Sequence, residues 1–80
     1  MNLVEFTEFL VKGIVKQPDL VSVKKFDDEE FITIQVLVAE ADMATVIGKS
    51  GTTINSIRNV VQASAILNKE KKVKINVDSF

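Results

Sequence analysis

The period of apolar and polar positions changes along the chain, and each change marks an element. Leu3, Phe6, Phe9, Leu10, Gly13 and Ile14 share one face at helical spacing, which predicts a helix from Leu3 to Lys16. Asn2 precedes it as an N-cap, with Glu5 three residues on as a capping-box partner, and Pro18 in Gln17-Pro18-Asp19 is the expected stop. The period then shortens to two. Leu20, Ser22 and Lys24 oppose Val21 and Val23, with Phe26 out of phase, so a strand is expected over Leu20 to Phe26. A second, β-branched run from Phe31 to Val38 puts Ile32, Ile34, Val36 and Val38 on one face. Asp27-Asp28-Glu29-Glu30 between the runs reads as the solvated turn of an antiparallel hairpin, since its carboxylates lack the spacing of a calcium loop.

Helical spacing then returns twice. Asp42 stands where it can cap a short helix within Ala41 to Ile47. Thr52 to Leu67 sets Ile54, Ile57, Val61 and Ala65 on one stripe, with Val60 and Ser64 beside it. After Lys69 to Lys72, Val73, Ile75 and Val77 alternate with Lys74, Asn76 and Asp78 in a last strand. The order is α-β-β-α-α-β. A two-helix crossover lets the last strand join in parallel, so the expected fold is α+β: a three-stranded mixed sheet covered on one face by helices, as one domain over residues 1–80.

Composition narrows the chemistry. The 80 residues are 46% apolar and contain neither cysteine nor histidine. Disulfides, thiolate or imidazole metal sites and the usual general base are therefore excluded, and the chain is read as a non-enzymatic protein without metal or cofactor. No apolar run approaches the roughly 18 residues of a membrane span, and Glu5 and Glu8 replace the basic start of a signal peptide, so a soluble, cytoplasmic protein is expected. The net charge of −1 argues against a coat for polyanions. Acidic residues gather between Asp27 and Asp42 and lysines between Lys69 and Lys74, which suits local, groove-type binding.

The stretch with most chemistry is Val46-Ile47-Gly48-Lys49-Ser50-Gly51-Thr52-Thr53-Ile54. Gly48 falls where a helix C-terminus calls for positive φ, and Gly51 where the next helix must start at close quarters. Bare N–H groups at that second helix's N-terminus, next to the Lys49 ammonium, would make a small anion cradle. Gly-Lys-Ser is not a nucleotide-binding P-loop, because Met43 stands where that motif needs its first glycine.

Ile47, Gly48, Gly51 and Ile54 spell I-G-x-x-G-x-x-I, the signature of the KH domain, whose GXXG loop clamps the backbone of single-stranded nucleic acid. Placed between two helices, after two strands and before one, the motif resembles the small single-domain bacterial KH proteins of the KhpA type over almost all of the chain. That resemblance implies the type II KH arrangement and single-stranded RNA binding. It also implies a role as a post-transcriptional regulator or RNA chaperone linked to cell elongation and division. It further implies pairing, as a homodimer or with a larger KH-domain protein of the KhpB (Jag/EloR) type. Carried onto this chain, the RNA-binding residues are Ile47, Gly48, Lys49, Ser50, Gly51, Ile54 and Arg58. Ile47, Ile54 and part of the second strand would floor an aliphatic groove, although both isoleucines also suit the core. Arg58, one turn beyond Ile54, can reach a phosphate or stay solvated, and the Lys69 to Lys74 run suits a solvated exit. Thr52, Thr53 and Asn55 are neutral where many similar proteins place basic residues, which points to binding helped by a partner. The alternative is a protein-interaction module, built for dimerisation, in which the KH loop is vestigial.

Overall fold

The computed structural model describes residues 2–80. Its elements follow the expected order: α1 (Leu3–Lys12), β1 (Ser22–Asp27), β2 (Phe31–Val38), α2 (Met43–Ile47), α3 (Thr52–Leu67) and β3 (Lys72–Ser79). The sheet runs β1-β2-β3, with β1 antiparallel and β3 parallel to the central strand. The α+β, type II expectation therefore holds: the crossover from β2 to β3 carries α2 and α3, and the helices cover one sheet face.

Alternation on β2 sets the core. Ile32, Ile34, Val36 and Val38 are all buried, and they meet Val11 of α1, Val46 of α2, Ile54, Ile57, Val61 and Ala65 of α3, and Ile75 of β3. The α3 stripe is the one its period predicts. On α1 the buried line is Leu3, Thr7 and Val11, while Phe9 is 64% exposed and Ile14 lies beyond the helix. Thr7 is tolerated there because its hydroxyl donates to the Leu3 carbonyl at 2.8 Å and leaves no unsatisfied polar atom.

α1 is shorter than its apolar spacing suggests. The capping box forms as expected, with Asn2 Oδ1 accepting from the Glu5 N–H at 2.8 Å. The helix nevertheless ends at Lys12, not Lys16, with Gly13 as C-cap. Past that point the Lys16 and Gln17 N–H groups donate to the two carboxylate oxygens of buried Asp42, at 3.0 and 3.1 Å. The chain exchanges another helical turn for a tertiary tether, and Gly13, a poor helix former, makes that exchange cheap. Asp42 accordingly makes no capping bond to α2, which is preceded by a 3₁₀ turn over Glu40–Asp42. Pro18 opens a second 3₁₀ turn, Pro18–Leu20, and β1 begins at Ser22.

Candidate nucleic-acid interface

α2 ends at Gly48, whose φ of 76° and ψ of 172° lie in a region open essentially only to glycine. Its N–H closes α2 on the Ala44 carbonyl at 2.9 Å. A 3₁₀ turn over Lys49–Gly51 follows, with Ser50 at φ 57° and Gly51 at φ 78°, two successive left-handed residues. The turn is held from both sides. Gly51 N–H donates to the Gly48 carbonyl at 3.2 Å, and the Thr52 hydroxyl and N–H both donate to the Lys49 carbonyl.

This bonding commits one of the amides expected to be bare. The Thr52 N–H at the start of α3 is already used, whereas the N–H groups of Lys49 and Ser50 meet no acceptor among the described residues. Successive amides beside a left-handed residue form a concavity that favours anions. The Lys49 ammonium is exposed and makes no ion pair among the described residues. Close quarters are found at Gly48, where a side chain would collide with Thr53. At Gly51 an added Cβ would meet only ordinary contacts, the nearer at 3.6 Å, so glycine is required there by φ alone.

Ile47, Gly48, Lys49, Ser50 and Gly51 lie together on the exposed α2–α3 junction, with Ile54 beneath it. The isoleucines divide the two roles expected of them. Ile54 is core, at 5% exposure, while Ile47 keeps 37% of its surface open beside the loop. The inner face of β2 is wholly buried and offers no groove floor.

Arg58 is engaged elsewhere. Its guanidinium donates twice to the Ile75 carbonyl of β3, at 3.3 and 3.1 Å, and once to Asn55 Oδ1 at 3.0 Å. One turn along, Gln62 Oε1 accepts the Val73 N–H at 2.9 Å, so two α3 side chains cover the outer edge of β3. Neither partnership has a signal in the sequence, because each joins residues brought together only by the crossover.

The C-terminal lysines lie at the other end of α3, about 24 Å along an axis of 16 residues. Lys71 pairs with Asp27 and donates to the Asp28 carbonyl, and the Lys74 ammonium stands 3.8 Å from the centre of the Phe31 ring. The cluster thus faces the acidic hairpin. The Asp28 carboxyl is held below the usual aspartate value, chiefly by hydrogen bonds from the Phe31 and Glu30 N–H groups and further by the Lys71 and Lys74 charges. Among the described residues no group of three or more carboxylates converges on a metal position, and no helix is long and apolar enough to cross a membrane.

The family described as KhpA/KhpB, KH domain, matches residues 4–78. The RNA-binding protein KhpA of Thermotoga maritima is 38% identical over 73 residues, which cover 91% of this chain and 95% of that protein. The RNA-binding protein KhpA of Streptococcus pneumoniae serotype 4 is 35% identical over 69 residues, covering 86% and 85%. Among solved structures, Aquifex aeolicus Era bound to GDP.AlF4- superposes with a TM-score of 0.78 at 14% identity. Era in complex with MgGDPNP and nucleotides 1506–1542 of 16S ribosomal RNA gives the same TM-score at 16% identity. Those superpositions cover 98% of this chain and 30% of the Era chain, and they establish a shared fold. With the fold, the glycine loop and the relatives in agreement, the chain belongs to the KhpA/KhpB family of KH domains.

Proposed function

We propose that this chain binds single-stranded RNA at the Gly48–Gly51 loop and performs no chemistry on it. The observation that carries the reading is the conjunction of two unclaimed amides, on Lys49 and Ser50, with an unpaired ammonium. A phosphodiester supplies the acceptor oxygens and negative charge that such a concavity complements. Gly48 and Gly51 keep side chains out of its path, Ser50 adds a hydroxyl, Ile47 offers a base an aliphatic surface, and Ile54 supports the junction from below. Arg58, with three of a guanidinium's five donors engaged, completes the set from the next turn. Relatives named as RNA-binding proteins support the same reading. By that kinship, the binding serves post-transcriptional regulation, as an RNA chaperone linked to cell elongation and division, in the cytoplasm.

The test replaces Lys49 and Ser50 together with Asp. Both are exposed, and Asp tolerates the left-handed backbone at residue 50, so folding should change by only about 0.5 kcal/mol. The loop's charge goes from +1 to −2 within a Debye length of about 8 Å of any bound phosphate. Binding to a short unstructured RNA, read by fluorescence anisotropy at physiological salt, should fall at least about tenfold, which is about 1.4 kcal/mol. A variant that melts like the parent and binds within twofold removes the loop as the RNA site.

A second reading rests on the outward face of α3. Val60 is 47% exposed, Leu67 83%, and Ala63 between them is open, so an apolar stripe faces solvent at helical spacing. Protein pairing through this stripe, with a second copy or with a larger KH-domain protein of the KhpB (Jag/EloR) type, covers it and joins two weak RNA sites. Leu67→Lys, benign at a helix C-terminus, should shift sedimentation toward the monomer. An unchanged sedimentation profile puts the pairing surface elsewhere.

A further inference from the structure

The Asn55 amide has its orientation fixed by its neighbour. Arg58 donates to Asn55 Oδ1 at 3.0 Å while its other donors hold the Ile75 carbonyl. A guanidinium offers donors and no acceptor, so the amide turns its oxygen toward Arg58 and its NH₂ away. That NH₂ stands against the loop, with Nδ2 3.6 Å from where a Cβ on Gly51 would lie. Neither of its hydrogens meets an acceptor among the described residues. An exposed asparagine on a helix ordinarily flips at little cost. Here a flip would set NH₂ against N–H, and the guanidinium cannot follow it without releasing β3.

We propose that Asn55 is a further RNA-contacting residue, donating its amide hydrogens to an acceptor atom of the nucleotide beside Gly51, and that Arg58 is the positioning residue that aims it. The proposal rests on the loop being the RNA site. It also gives residue 55, neutral as it is, a defined chemistry: a directed donor. The acceptor is a phosphate oxygen or an atom on a base edge, and the two are distinguishable. A phosphate contact serves every sequence alike, whereas a base contact depends on which base is present.

The experiment measures anisotropy of fluorescein-labelled rA12, rC12 and rU12 with the parent, N55L, N55Q, R58M, the N55L/R58M double variant and the Lys49, Ser50 double-Asp variant. Thermal melts run in parallel. N55L removes both donors at an exposed helix position and should weaken binding three- to tenfold, the worth of one neutral hydrogen bond. Equal loss on all three oligomers identifies a phosphate acceptor, and selective loss a base. N55Q, which returns an amide on a longer arm, should recover part of the loss. R58M should weaken the same oligomers, and the double variant should lose less than the two single losses combined, because the part of the Arg58 effect that aims the amide is worth nothing without it. Binding by N55L within 1.5-fold of the parent on every oligomer, while the double-Asp variant has lost it, overturns the proposal and leaves the loop reading intact. Fully additive N55L and R58M losses overturn the positioning role. Retained binding by the double-Asp variant overturns the loop reading and this proposal with it.

Discussion

Thr53 occupies the space in which a side chain at residue 48 would stand. A Cβ on Gly48 would lie 2.8 Å from both the Cβ and the amide nitrogen of Thr53, closer than real contacts allow. The backbone dihedrals there also exclude a side chain. Strain and overpacking add, so Gly48→Ala should lose about 3 kcal/mol. Gly51→Ala meets only the left-handed penalty and should lose about 1 kcal/mol. Urea denaturation of both variants checks the ordering, and equal losses would mean that Thr53 yields.

Lys69 closes α3 in the left-handed region, at φ 58°. Glu70 N–H donates to the Ala65 carbonyl at 2.8 Å and Lys69 N–H to the Ile66 carbonyl at 3.0 Å, the two bonds of a Schellman cap. Glycine adopts that conformation without a Cβ penalty. Lys69→Gly should therefore stabilise the fold by about 0.5–1 kcal/mol, visible as a higher melting temperature. A lower one would show that the lysine side chain contributes more than its backbone costs.

Asp42 joins the end of the α1 connection to the start of the crossover. Asp42→Ala leaves the Lys16 and Gln17 amides without acceptors and should cost about 2–4 kcal/mol. Asp42→Asn keeps one acceptor and should cost about half of that. Amide hydrogen exchange at residues 16 and 17 should quicken in both variants while β2 stays protected. Unchanged exchange there would mean that water replaces the carboxylate.

The hairpin turn adds a pH dependence. The Asp28 carboxyl titrates lower in the folded chain than its ordinary value of about 3.9. Its stabilising contribution is thus present above that ordinary value and is lost as pH falls through the folded one. Thermal melts between about pH 2 and 6 should show a decline toward acid that is shallower in Asp28→Ser, whose hydroxyl can accept in the same turn without titrating. Parallel profiles would place the acid sensitivity in other carboxylates.

What could be read in advance was whatever repeats at a local period. Ile32 to Val38 alternates and is buried as read, the α3 stripe is core, and Gly48 and Gly51 carry positive φ. Elsewhere the outcome depended on residues distant in sequence. α1 stops early because a carboxylate at residue 42 competes for the amides at 16 and 17. Phe9 looked like core by spacing, yet Thr7 takes that side because its hydroxyl is satisfied within its own helix. β3 runs on to Ser79 because Val38 lies opposite it, a register that alternation alone cannot supply. At the loop, the motif marked the turn and its two positive-φ glycines but not its bonding, which leaves the Lys49 and Ser50 amides open and commits the one at Thr52.

The parallel pairing of β3 with β2 also has a consequence in time. Everything from α2 through α3 must be made before β3 can dock, and only then do Ile75 and Val73 meet Arg58 and Gln62. Such long-range closure is slow beside helix formation. On a translating ribosome the glycine loop therefore emerges well ahead of the strand that braces the helix behind it. The nascent chain passes through a stage in which the loop precedes its brace, and the proposed RNA site is complete only once the final strand has docked.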